Sequence, residues 1–157
     1  MPNAVHALDL DKFLPSRLSV LAQMVSESLH DLYAGPYGLS VTQWRVMAAL
    51  GQHAPLTASE VGRRIVMDKV AVSRAVAGLM KRGLVERATD RSDRRRASLK
   101  LSVRGRVMHG RIAPLALAYE EKLYQALDPA ERQAFDALSD RLFIHAKALR
   151  TTPDAAL

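Results

Sequence analysis

From Leu14 onward, the apolar residues Leu14, Leu18, Leu21, Val25, Leu29 and Leu32 recur at spacings of four and three. That period places them on one narrow seam of a helix. Pro15 suits its first turn, where no intrahelical partner for an N–H is lost, and Gly35-Pro36 with Gly38 predicts its end. Ser40 followed by Gln43 is a capping-box pattern that opens a second helix to about Gln52, with Trp44, Met47 and Leu50 inward. Thr57 and Glu60 repeat the pattern and start a short helix that carries Val61 and Ile65 inward and ends near Met67. Asp68 then caps a helix from Lys69 to Arg82, stopped by Gly83, whose core face is Val72, Ala75, Val76 and Leu79.

The pattern then changes. Leu84-Val85-Glu86-Arg87 and Ser98-Leu99-Lys100-Leu101 are brief alternating segments, and the residues between them are polar and charged. They predict a two-stranded hairpin, too small to stand unless it packs on the helices. Ser102 caps a long helix to about Leu127, lined by Met108, Ile112, Leu115, Tyr119 and Leu123, and Pro114 predicts a bend near Gly110. Asp128-Pro129-Ala130-Glu131 starts a last helix with the stripe Phe135, Leu138, Leu142, His145 and Leu149.

The expected fold is mainly α with a small β-hairpin wing. A winged helix-turn-helix lobe spans 39–102, a helical dimerisation layer is made by 11–35 and 103–150, and 1–10 and 151–157 are flexible termini. The dimer follows from the seams at the two ends of the chain, because one small trihelical unit cannot cover both. Pairing two copies buries them and creates a two-fold axis.

Charge adds a direction to this frame. From Arg63 to Arg106 there are fourteen Lys/Arg against four Asp/Glu, a balance of +10, whereas the remainder carries nine against twelve, a balance of −3. The overall +7 is thus a basic segment, built on two helices and a hairpin, set in a mildly acidic body. Such a segment suits double-stranded nucleic acid. Aromatic residues make up only 5%, which disfavours the base-stacking platforms of single-strand binders.

Other classes recede. The chain has no cysteine, which removes disulfides, thiolate metal sites and thiol redox sensing. The five histidines lack metal-ligand spacing, and His145 on its apolar stripe reads as a packed interface residue. No nucleophile–base pair or glycine-rich phosphate loop is present, so neither an enzyme nor a cofactor is expected. No apolar run is long enough for a membrane span and no leader pattern precedes the first helix, so the expected location is the cytoplasm.

The residues on the outward amino-terminal face of the Lys69 helix are Lys69, Val70, Ala71, Ser73 and Arg74. That is the end a recognition helix presents to the major groove. Arg74 suits guanine O6 and N7, Ser73 a base or a phosphate, and Val70 or Ala71 a thymine methyl. Lys69 suits a phosphate, a contact that positions without specifying. Arg94, Arg95 and Arg96 crowd the hairpin loop, where they repel one another unless phosphates or a narrow minor groove receive them. Asp93 is out of place for DNA contact and reads as a residue that structures the wing, paired with Arg74 or Arg63 or capping the turn.

Leu39-Ser40-Val41-Thr42-Gln43-Trp44-Arg45-Val46-Met47, then Leu79-Met80-Lys81-Arg82-Gly83-Leu84-Val85-Glu86-Arg87, then Asp93-Arg94-Arg95 and Leu101-Ser102-Val103-Arg104-Gly105 resemble, in order and spacing, the MarR family of dimeric winged-helix transcription regulators. The resemblance covers about Leu14 to Leu149. It implies that Lys69 to Arg74 read the major groove, that Arg94 or Arg95 enters the minor groove, and that the first and last helices interlock two subunits. Ala71 departs from the pattern, since many members carry a polar residue there.

The resemblance also implies a small aromatic or phenolic acid effector, or its CoA thioester, held between the dimer layer and the DNA-binding lobe. Trp44 would supply an apolar wall, and Arg17 and Arg45 would pair a carboxylate. Each has a plainer reading, Trp44 as core and the arginines as solvated surface. Phe13-Leu14-Pro15-Ser16-Arg17-Leu18-Ser19 resembles the opening of regulators of aromatic-acid catabolism, hydroxycinnamate responders among them. The expected function is a sequence-specific regulator, a ligand-released repressor on an inverted-repeat operator. The alternative is an architectural protein that coats duplex without sequence choice.

Overall fold

The computed structural model describes residues 8–88 and 97–151. The chain divides into two compact units, Met1–Ala116 and Leu117–Leu157. In the first, a turn in which the Phe13 N–H donates to the Asp9 carbonyl (2.9 Å) leads into α1, Leu14–Tyr37. This helix runs through Gly35 and Pro36, past the expected break, because Tyr33 and Tyr37 on its last turns are held in the core. It ends at Gly38, whose φ of 59° is the left-handed conformation that glycine adopts without steric penalty.

Helix α2 (Val41–His53) starts at a reciprocal box. The Gln43 N–H donates to Ser40 Oγ (3.2 Å) and the Ser40 N–H to Gln43 Oε1 (3.0 Å). Strand β1 (Leu56–Thr57), helices α3 (Ala58–Ile65) and α4 (Lys69–Lys81), strands β2 (Val85–Ala88) and β3 (Ser98–Leu101) and helix α5 (Val103–Tyr124) follow. The side chains of Tyr33, Leu39, Val46, Met47, Leu50, Val61, Val72, Leu79, Leu84 and Ile112 make one core among these elements. Burying each of the larger ones contributes about 1.5–3 kcal/mol.

The sheet corrects the sequence reading. It has three antiparallel strands in the order β1-β3-β2, not two, with Leu56 opposite Leu99 and Val85 opposite Leu101. Two residues carry no alternation, so β1 is made by its partner and not by its own pattern.

The root of α5 is tightly built. Ser102 Oγ donates to the Gly83 carbonyl (2.7 Å) and accepts from the Gly105 N–H (3.0 Å), while the Ser102 N–H donates to the Leu84 carbonyl (3.0 Å). Gly105 lies so close that a Cβ there would stand 1.9 Å from the Leu84 carbonyl oxygen.

In the second unit the end of α5 meets α6 (Pro129–Thr151). Asp128 and Glu131 cap α6 reciprocally, at 2.8 and 2.9 Å. The Arg132 guanidinium lies 4.0 Å over the Tyr124 ring and donates to Glu121 (3.0 Å). The Tyr124 hydroxyl donates to Asp136 (2.6 Å), which holds its pKa above the ordinary value. Phe135, Leu138, Leu142, Phe143, Ile144 and Leu149 of α6 are exposed, as is His145. Among the described residues, no helix is long and apolar enough to cross a membrane.

Candidate nucleic-acid interface

The interface begins with two caps. At α3 the Glu60 N–H donates to Thr57 Oγ1 (3.2 Å), and the Thr57 N–H donates to Glu60 Oε2 (2.7 Å). The turn after α3 passes through Val66, which adopts the left-handed conformation (φ 52°, ψ 51°), and its N–H and that of Met67 both donate to the Gly62 carbonyl. A β-branched residue is strained there. Asp68 Oδ1 then accepts from the Val70 and Ala71 N–H groups, both at 2.9 Å, and its charge complements the positive end of α4.

With Val72, Ala75, Val76 and Leu79 buried, the opposite side of α4 faces outward. Lys69, Val70, Ser73 and Arg74 are all exposed, Val70 at 65%, as the sequence placed them. Ala71 is half-buried at the edge of this face, so a small side chain fits and offers no hydrogen bond. On the neighbouring surface Arg63, Arg64 and Arg87 are exposed, and Glu86 pairs with Lys100 across β2 and β3 at 3.2 Å. Asp93, Arg94, Arg95 and Arg96 lie outside the described residues. A residue that sequence reasoning passed over is Val66, 68% exposed in the turn that feeds α4. Its only sequence signal is an apolar residue two positions before the Asp68 cap.

The three residues assigned to an effector separate into two groups. Trp44 is buried, its ring 5.7 Å from that of Tyr33 on α1 and stacked at 5.6 Å on that of His109 on α5. Burial holds the His109 pKa below its ordinary value. Burial also raises the Tyr33 pKa, an effect that Arg45 opposes. Arg45 donates to Ser26 Oγ on α1 at 3.1 Å. Trp44 and Arg45 therefore share the α1–α2 contact. Arg17 is exposed nine residues before Ser26 on α1, about 14 Å along its axis, and does not join them.

A capped helix-turn-helix flanked by a small antiparallel sheet, with a carboxylate-free reading face on α4, defines a winged helix-turn-helix DNA-binding protein. Residues 37–96, which take in α2, α3, α4 and β2, match the MarR family. The chain is 25% identical over 150 residues to the HTH-type transcriptional regulator PapX of Escherichia coli, covering 89% of this chain and 90% of that one. A MarR family regulator from Silicibacter pomeroyi has a similar structure, with a TM-score of 0.75, 28% identity and coverage of 87% and 92% of the two chains. The PcaV regulator of Streptomyces coelicolor, solved in complex with its natural ligand, gives a TM-score of 0.70 at 25% identity over 89% of this chain and 98% of that one. With a lobe that matches the MarR family and relatives that are transcriptional regulators, the chain is similar over most of its length to the DNA-binding transcriptional regulators of that family.

Proposed function

We propose that this regulator is a homodimer that recognises an inverted repeat in double-stranded DNA and represses until a small aromatic acid, or its CoA thioester, releases it. The observation that carries the reading is the outward face of α4. Lys69, Val70, Ser73 and Arg74 are exposed at the capped amino-terminal end of a helix whose opposite side is core. Arg74 reads a guanine, Val70 a thymine methyl, and Lys69 a phosphate. Arg94, Arg95 and Arg96 of the wing loop meet the minor groove and its flanking phosphates, and Asp93 shapes that loop.

The dimer is supported by apolar surface that one copy leaves uncovered. Leu14, Leu18, Leu21 and Met24 of α1 are exposed, and α6 exposes Phe143 and Ile144 (both 67%) on sides other than its main stripe. A helix that is apolar on several sides belongs inside an assembly. The twin recognition helices then meet successive major grooves about 34 Å apart. The effector is supported by Trp44 and Arg45 on the α1–α2 contact and by the ligand complex of PcaV.

Binding of an inverted-repeat promoter fragment and of scrambled duplex tests the reading. Sequence-specific recognition gives a preference of at least ~10³. A ratio near one would replace it with the architectural alternative. The effector is tested by thermal shift against aromatic acids and their CoA thioesters, since a ligand of the folded dimer raises its melting temperature.

A further inference from the structure

Arg82 stands immediately after α4, its N–H donating to the Gly78 carbonyl at 3.2 Å. Its side chain does something unconnected with α4. Nη2 donates to the Tyr37 carbonyl at 2.6 Å and Nη1 to the Gly38 carbonyl at 2.8 Å. These oxygens belong to the closing turn of α1, where carbonyls lack intrahelical partners and the helix dipole is negative. A guanidinium fork suits two adjacent acceptors and remains charged at any physiological pH. The left-handed turn at Gly38 shapes the pair, and a Cβ there would stand 3.9 Å from Arg82 Nη2.

The two helices joined in this way have different tasks. α4 presents Lys69 to Arg74, and α1 carries the exposed apolar seam. Arg82 lies thirteen residues beyond Lys69, about 20 Å along α4, at the end remote from the reading face. We propose that Arg82 is a positioning residue: it fixes the angle of the recognition helix against α1, and through α1 the separation of the two recognition helices in the dimer. The proposal rests on the reading of α4 as the groove-entering helix of a dimer. It assigns Arg82 no contact with DNA.

The test compares wild type with Arg82→Met, which keeps the apolar stem, Arg82→Lys, which keeps the charge without the fork, and Arg74→Ala. The probe is an inverted-repeat duplex selected by the wild-type protein from random sequence, together with copies whose spacer is one base pair longer or shorter. Arg82→Met is expected to bind the selected duplex about tenfold more weakly, to lose much of the wild-type penalty for a changed spacer, and to keep the wild-type salt slope because no phosphate contact is removed. Arg82→Lys is expected to fall between the two, and it carries the comparison alone if Arg82→Met does not fold. A salt slope smaller by about one unit would make Arg82 a phosphate ligand and overturn the proposal. A lower melting temperature with unchanged affinity and spacer penalty would reduce Arg82 to a fold staple and overturn it as well. Arg74→Ala separates the two levels. If it binds as tightly as wild type, the groove reading of α4 fails. If it binds weakly while Arg82→Met matches wild type, only the positioning role fails.

Discussion

Two glycines five residues apart on α5 are expected to respond in opposite ways to the same substitution. At Gly105 a Cβ would stand 1.9 Å from the Leu84 carbonyl oxygen, 3.0 Å from the Leu84 carbonyl carbon and 3.4 Å from Leu101 Cβ. The obstacle is backbone, so no side-chain rotation relieves it. The start of α5 must move away from Leu84, which strains or breaks the hydrogen bond from the Ser102 N–H to the Leu84 carbonyl. Overpacking costs about 1–3 kcal/mol and the lost bond about 1 kcal/mol, against about 1 kcal/mol returned by alanine's better helix propensity. Gly105→Ala should therefore destabilise by roughly 1–3 kcal/mol, lowering Tm by about 2–12 °C. At Gly110 the added carbon would meet nothing within 4 Å beyond its chain neighbours and the backbone of its own helix, so only the propensity gain remains, and Gly110→Ala should stabilise by up to about 1 kcal/mol. Urea and thermal melts followed by circular dichroism, at one fixed protein concentration, measure both. If Gly105→Ala melts at or above wild type, the close approach of α5 to Leu84 does not hold and the account of the wing root is refuted.

Val66→Gly removes a β-branched side chain from a left-handed position and should stabilise the protein by about 1 kcal/mol in the same melts; a loss of stability would mean that the side chain makes a favourable contact. Burial depresses the folded-state pKa of His109 below its ordinary 6.5, so on acidification the unfolded chain takes up that proton first. This contribution is intact above the unfolded pKa and is lost as pH falls from about 6.5 toward the folded pKa, and His109→Gln should flatten the urea midpoint across that window. An unchanged pH profile in the variant would assign the dependence to other groups. Arg95→Ala should weaken DNA binding on all sequences and reduce the salt slope by about one unit. An unchanged slope would remove Arg95 from the interface.

Local chemistry made much of this architecture legible before any coordinates. Ser40 with Gln43 and Thr57 with Glu60 form reciprocal caps because everything they need lies within three residues. Val72, Ala75, Val76 and Leu79 are buried as their helical spacing requires, which leaves Lys69, Val70, Ser73 and Arg74 outward. What escaped depends on distant partners. β1 exists only through Leu99 and Ser98, and the Arg82 fork reaches carbonyls more than forty residues away. The end of α1 was misplaced for the same reason, since burial of Tyr33 and Tyr37 outweighs the breaking tendency of Gly35-Pro36. Spacing was also silent on whether Arg17 and Arg45 meet, because the answer depends on how far along α1 its contact with α2 falls.

The hydroxyl of Ser102 lies where three pieces of the reading apparatus meet. It grips the carbonyl just beyond α4, accepts from the first turn of α5, and follows directly on the last residue of β3. A push delivered to any one of the three is shared by the others at this knot. Helix α4 and the strands β2 and β3 are therefore expected to tilt together as a single jaw, and on the proposed function release from DNA withdraws both prongs of a half-site in one stroke.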